Sequence, residues 1–263
     1  MDRLRLLSYN IQAGIASVRF RDYIANSWKH LLPHRARMNN LNRISEMIGG
    51  YDVVGLQEVD AGSLRSAFID QTEFLARVAG YPHWHRQINR DLGSLAQHSN
   101  GLLSRLQPKT IRDHKLPGLP GRGVLLGEFQ TTSGELLAVC VAHLALGARA
   151  RRRQFDFLAE LTGQYPYAVL MGDFNSGCGS SALRAMVERG GWHGLDCERK
   201  TFPSWRPQHN LDHILVSTNI EILGARVVDY ALSDHLPISM EIRLPSRIEP
   251  CEPIPQQLPE FAA

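Results

Sequence analysis

The chain has 263 residues, 43% of them hydrophobic and 21% charged, with a formal net charge of +3 at neutral pH. This composition is ordinary for a globular protein and ample for a large core, and sheet-rich folds of this length often form one domain, so a single α/β domain is expected. The mild basicity permits an anionic substrate but excludes the strong basic stripe of a dedicated nucleic-acid binder, and four cysteines without CxxC spacing (Cys140, Cys178, Cys197, Cys251) exclude a zinc ribbon.

No apolar run reaches the roughly 18 residues of a membrane span, and the opening MDRLRLLSYN lacks the apolar core of a signal peptide. The expectation is a soluble cytoplasmic chain with reduced, structural thiols.

Taken in order, Leu4, Leu6 and the residues to Asn10 predict a first strand with Asn10 at its mouth. Residues 12–33 are irregular and rich in Arg, aromatic and small residues, a long connection of the kind that more often carries function than not. Met38, Leu41, Ile44 and Ile48 have helical spacing and end at Gly49-Gly50. Residues 52–58, DVVGLQE, predict a second buried strand with Glu58 at its far end. A helix between two strands is the pattern of a crossover unit, which puts Asn10 and Glu58 at one sheet edge if the strands are parallel.

A helix over 70–79 and a loop holding His83 and His85 follow, then a short strand at 100–105 and a Pro/Gly loop at 117–123. Strands near 124–129 and 136–143 flank the hairpin signal Thr131-Thr132-Ser133-Gly134, and the second ends in His143. Four arginines between Arg149 and Arg153 lead into a helix with Phe155, Leu158 and Leu161 on its apolar face. The stretch 168–175, AVLMGDFN, reads as a buried strand whose alternation points Asp173 and Asn175 the same way. A short helix at 179–188, strands at 212–217 and 225–230, and alternating apolar residues from Leu236 to Ile242 complete the domain at 1–244. Residues 245–263, with five prolines, form a Pro-rich tail that is not expected to fold.

Six polar clusters thus lie at or beside strand ends: Asn10, Glu58, His143, Asp173 with Asn175, Asp212, and Asp234 with His235. Each alone suits an ordinary turn or a half-buried histidine. Together SYN (8–10), LQE (56–58), SNGLLSR (99–105), AHL (142–144), GDFN (172–175), TFPSW with LDHILVS (201–217) and SDHLPI (233–238) resemble, in order, the endonuclease/exonuclease/phosphatase superfamily of divalent-metal phosphoesterases. The resemblance implies a four-layer α/β sandwich: two mixed β-sheets packed face to face, helices outside, and the active site at one end of the sheets.

It also implies roles. Asn10 and Glu58 are hard oxygen ligands suited to Mg²⁺ or Mn²⁺, with Asp234 a further ligand. Asp173 orients or deprotonates the attacking water, and Asn175 donates to a phosphoryl oxygen. His235 contacts the phosphoryl group or helps activate water, with Asp212 holding its ring, since Asp212 is costly to bury unpartnered. His143 matches a second histidine that stabilises the phosphate or protonates the leaving group, and Asn100 braces the site or contacts substrate.

Two features fall outside the motifs. Positive charge at a helix N-terminus opposes the macrodipole, so Arg149 or Arg153 is a candidate contact for substrate phosphate or a site carboxylate. His83-Trp84-His85 has H-x-H spacing but no companion acids and reads as structural. The expected function is phosphodiester hydrolysis of a nucleic acid or a lipid headgroup. A phosphomonoesterase and a catalytically idle binding module are the competing readings. Gln12 and Val59-Asp60 stand where abasic-site endonucleases carry an acid and a lysine, and the secretion signal and paired disulfide cysteines of pancreatic-type deoxyribonucleases are not expected here. Arg19, Arg21, Trp28 and Lys29 in the 12–33 connection are of types that contact single-stranded nucleic acid.

Overall fold

The computed structural model describes residues 2–15 and 35–249, apart from 92, 94, 96, 119 and 195. Strand β1 (Arg3–Asn10) leads through helix α1 (Arg35–Ile48) to β2 (Val53–Asp60), and the two strands pair in parallel. Helix α2 (Gln71–Ala79) is capped by the Asp70 carboxylate, which accepts from the amides of Thr72 and Glu73, and is stopped by Gly80 in the left-handed region. Strands β3 (His83–Asp91) and β4 (Gln97–Ser104) follow.

The second half repeats the plan. Strands β5 (Thr110–Lys115), β6 (Gly123–Gln130) and β7 (Leu136–His143) form a meander, and helix α3 (Ala148–Thr162) crosses to β8 (Tyr167–Asp173), parallel to β7. Helix α4 (Ser181–Gly190), β9 (Trp192–His193), β10 (Asp212–Ser217), β11 (Glu221–Val227) and β12 (Ile238–Arg243) complete the chain. One sheet has the order β11-β12-β1-β2-β4-β3 and the other β5-β6-β7-β8-β10-β9. Each has a central parallel pair bridged by a helix, with antiparallel strands elsewhere.

Alternation along the strands explains the layers. Leu4 and Leu6 of β1 pack between the sheets with Val139, Val141, Val169, Met171, Ile214 and Met240. Leu7 and Tyr9, one residue out of phase, pack outward with Leu41, Ile44 and Ile48 of α1 and Leu75 of α2. On the far side Leu170 and Cys140 meet Phe155 and Leu158 of α3 and Leu183 of α4. The molecule is therefore the expected four-layer sandwich, with strands buried on both faces because each face has a covering layer.

Several local expectations are corrected. His83 and His85 lie on a strand, because β3 pairs with β4 from His83↔Ser104 onward. β5 gave no apolar run, being an edge strand with half its residues exposed. The strand expected at 225–230 is β11, shifted towards Glu221 by a register irregularity between Ile222 and Gly224. Cys178 and Cys197 are joined in a disulfide with Cα atoms 5.5 Å apart, so two of the four expected thiols are paired. They sit on loops 19 residues apart, a spacing that carried no signal, whereas Cys140 is free and buried. Past Leu244, Ile248 is buried and the Glu249 amide donates to the Gln130 carbonyl at 2.9 Å, so packing continues to Glu249. Residues 250–263, Cys251 among them, and the 16–33 portion of the 12–33 connection, with Arg19, Arg21, Trp28 and Lys29, lie outside the described residues. No helix among the described residues is long and apolar enough to cross a membrane.

Candidate active site

Strand phase decides which side chains reach the inter-sheet end. Asp173 follows Val169 and Met171 on the inner face of β8, His143 follows Val139 and Val141 on β7, and Asp212 precedes Ile214 and Val216 on β10. In register, His143 and Asp212 both stand opposite Asp173, so the three are abreast on adjacent strands. Gly172 makes this possible: its φ is +147°, and a Cβ there would collide with the Ala142 carbonyl oxygen.

From the other sheet, Asn10 continues the inner-face series Leu4, Leu6, Ser8 and reaches across the interface, its Nδ2 donating to Asp173 Oδ2 at 3.1 Å. Glu58 arrives by another route. Strict alternation would send it outward with Val54 and Leu56, beneath the helices. Instead a bulge between Leu56 and Val59 inserts one residue, and Glu58 adopts φ +55°. Leu56 and Val59 both pack outward, while Glu58 is half-buried beside Asn100 and His143 on a shared cavity wall.

His235 and Asp234 lie in the segment before β12. The Ser233 hydroxyl donates to the Asn10 carbonyl (2.7 Å), and the Leu236 amide donates to the Thr201 carbonyl (2.9 Å), tying this segment to β1 and to the TFPSW segment. His235 Nδ1 pairs with Asp212 Oδ2 at 2.8 Å, an oxygen that also accepts from Thr201 Oγ1. The Phe202 ring packs on the imidazole at 4.9 Å between centroids. Asp173 Oδ2 is 3.5 Å from His143 Nε2 and 3.8 Å from His235 Nε2.

The two histidines are driven to opposite states. Burial lowers the His143 pKa to about 3, against the pull of Asp173, so it is neutral near pH 7. Burial also opposes charge on His235, but Asp212, Asp173 and Asp234 outweigh it and raise its pKa to about 10. Burial pushes Asp234 up to about 6, with Glu58 and Asp173 adding to the rise and His235 opposing it.

Two groupings are candidates for a cation. Asp173, Asp212 and His235 each bring one ligand atom within 4.8 Å of the others. In this set His235 Nδ1 is already engaged by Asp212 Oδ2 at 2.8 Å. Glu58, Asp234 and Asn10 fit better: they offer hard oxygens, and the crowding of Asp234 by Glu58 and Asp173 is the conflict that a divalent cation relieves. Among the described residues Asn10 Oδ1 accepts from the Gln12 amide alone, at 3.2 Å, which leaves a lone pair.

Other expected residues are placed differently. Asn175 does not share a face with Asp173, because the strand ends at Asp173 and Asn175 has φ +48°. Its amide nitrogen donates to Asp173 Oδ1 and its side chain to the Leu144 carbonyl, both at 2.9 Å, so it fixes the Asp173 carboxylate from behind. Asn100 is buried and bridges the sheets, donating to the Gly123 carbonyl at 3.1 Å. Arg149 and Arg153 are exposed on α3 and are not on the cavity wall. His85 faces Asp113 at the surface, 3.2 Å away.

Beside the acids is a cavity of about 410 Å³. Its basic lining includes Arg90 and Arg122, which no motif in the sequence marks. The available signal was the Pro/Gly loop at 117–123, whose only charged residue is Arg122.

A two-sheet sandwich with a carboxylate, imidazole and amide cluster across the open end of both sheets defines a hydrolytic α/β class. A sequence model of the Endonuclease/Exonuclease/phosphatase family matches residues 7–235, and the chain belongs to this family of phosphoester hydrolases. No curated protein matches the sequence. Among solved structures, a family protein from Bacteroides thetaiotaomicron superposes with TM-score 0.70 at 18% identity, covering 92% of this chain and 98% of its own. The mannosyl-6-phosphatase Bt3783 of Bacteroides thetaiotaomicron VPI-5482 gives 0.68 at 19%, covering 91% and 99%. The human Nocturnin catalytic domain with bound sulfate gives 0.67 at 17%, covering 92% and 93%. At these identities the likeness is one of fold.

Proposed function

We propose that the protein is a divalent-metal-dependent phosphodiesterase. The observation that carries this reading is the hydrogen-bonded array Asp212–His235 and Asn10–Asp173, flanked by Glu58 and Asp234. Glu58, Asp234 and Asn10 would hold Mg²⁺ or Mn²⁺, which when bound neutralises phosphoryl charge. Asp173, kept in one orientation by Asn10 and the Asn175 amide, takes the proton of the attacking water. His235, charged and locked by Asp212, donates from Nε2 to a phosphoryl oxygen, where negative charge grows as the water oxygen bonds to phosphorus; the opposite P–O ester bond then breaks, and the leaving oxygen takes its proton from solvent. Neutral His143 is too weakly basic to deliver a proton from a cationic form, which favours the phosphate-stabilising alternative for that residue.

The diester reading is favoured by the cavity, which extends from Glu58 and His143 to Leu146, Gly147 and Ala150 and leaves room for a second ester arm. A monoester reading draws on the same arginines, since Arg122 suits a dianionic phosphate. Bis(p-nitrophenyl) phosphate and p-nitrophenyl phosphate, each with Mg²⁺ and with chelator, separate the two. Turnover of the diester that is lost with chelator and in Asp173→Ala supports the proposal; turnover of the monoester alone overturns it.

A further inference from the structure

The lining of the cavity beside the acids combines Arg90 and Arg122 with the uncharged Ala145, Leu146, Gly147 and Ala150. Arg122 is half-buried, yet among the described residues its guanidinium makes no hydrogen bond or ion pair. Its nearest opposite charges are Glu58 and Asp173, and Arg90 is close enough to oppose it. A partly desolvated guanidinium beside a second one is costly unless an anion joins them.

The wall is also rigid. The Arg122 carbonyl accepts from the Leu116 amide at 3.0 Å, and the next carbonyl, of Gly123, accepts from Asn100. A Cβ at Gly123 would press on Gln87 Oε1 at 2.6 Å, so β3 and β6 are in close contact there. The Arg90 stem lies along Gly121, within 3.5 Å of where a Cβ at Gly121 would stand. Both arginines therefore reach the cavity from fixed backbone, which limits where their guanidiniums can go.

We propose that Arg90 and Arg122 form a second anion subsite, which receives a phosphoryl group attached to the same scaffold as the scissile ester. The inference rests on the phosphoesterase reading and narrows it: the substrate carries two phosphates, with its organic part against Leu146 and Ala150. Two phosphates on one scaffold occur in an end-phosphorylated oligonucleotide and in a sugar bisphosphate, and the test distinguishes these sources.

Kinetics with Mg²⁺ compare TpT with pTpT and TpTp, and a sugar monophosphate with its bisphosphate, using bis(p-nitrophenyl) phosphate as the ester lacking a second phosphate. The added phosphate is expected to raise kcat/KM about tenfold or more, chiefly through KM, in one of the two series, and that series identifies the source. In Arg90→Gln and Arg122→Gln the ratio of phosphorylated to unphosphorylated substrate should fall towards one. A second readout needs no turnover: calorimetric binding of inorganic pyrophosphate in chelator should weaken about tenfold in each variant, with circular dichroism checking the fold. No gain in either series, a gain that survives both substitutions, or equal losses on all esters overturns the proposal, the last by assigning the arginines to the scissile phosphate. Arginine-dependent pyrophosphate binding without hydrolysis of any ester would instead sink the functional reading and keep the subsite.

Discussion

The two sheets build their halves of the site by different means. In the second sheet His143, Asp173 and Asp212 stand abreast because three regular strands bring them there in register, and all are buried. In the first, Asn10 follows strand phase, but Glu58 depends on a bulge and a left-handed backbone, and the turn after Asn10 has positive φ at Gln12 and Ala13. Regular register gives a tightly held row whose carboxylates are hydrogen-bonded from outside it, Asp173 by Asn10 and the Asn175 amide and Asp212 by His235 and Thr201, an arrangement suited to moving a proton. The bulge gives a carboxylate that leaves the packed face and remains accessible, as an ion ligand must be. We propose a division of labour: the base Asp173 on the second sheet and the cation on the first, with Asn10 and, from the segment before β12, His235 joining them through Asp173 and Asp212.

The largest expected effect is on the regular side. Asp173→Asn preserves shape but removes the base, and kcat on a reactive diester should fall on the order of a thousandfold or more, measured at saturating Mg²⁺. Next is the backbone that carries the row. Gly172→Ala meets both the Ala142 carbonyl and a φ of +147°, and should cost roughly 3 kcal/mol or more in urea denaturation. A loss below about 1 kcal/mol would mean that the close approach of β7 and β8 is not what fixes the row.

Charge in the row predicts a pH dependence. The His235 pKa is raised from 6.5 to about 10, so the stability from its charged form is full below about pH 6.5 and lost as pH rises through 10. Urea midpoints in chelator should decline over that window for the native chain and lose this decline in His235→Gln. The smallest effect concerns the seam between the sheets. Asn100→Ala removes a cross-sheet hydrogen bond to the Gly123 carbonyl and should cost about 1–3 kcal/mol, the penalty of leaving a buried group unpaired.

The same contrast explains what was legible in the sequence. Residues whose position follows from strand phase could be read: Asn10, His143, Asp173 and Asp212 were all placed at strand mouths, and α1 linked two parallel strands as its spacing required. Features that break phase could not. The alternation behind Asn175 stops where the strand stops, and although Glu58 is legible at its strand end, the inserted residue that turns it inward leaves no signal. Arg90 and Arg122 were invisible because they come from β3, read as a loop, and from a Pro/Gly loop without periodicity, and meet only when β3 lies against β6. The Cys178–Cys197 pair likewise depends on two loops meeting in space.

The division of labour is tested most directly by titrating Mg²⁺ against diester hydrolysis in Glu58→Gln and Asp173→Asn. The account predicts that Glu58→Gln raises the half-saturating Mg²⁺ concentration roughly tenfold or more and recovers much of its rate at high Mg²⁺, while Asp173→Asn keeps a near-native Mg²⁺ midpoint with a collapsed maximal rate. An unshifted midpoint in Glu58→Gln, or a rate in Asp173→Asn restored by added Mg²⁺, would contradict it.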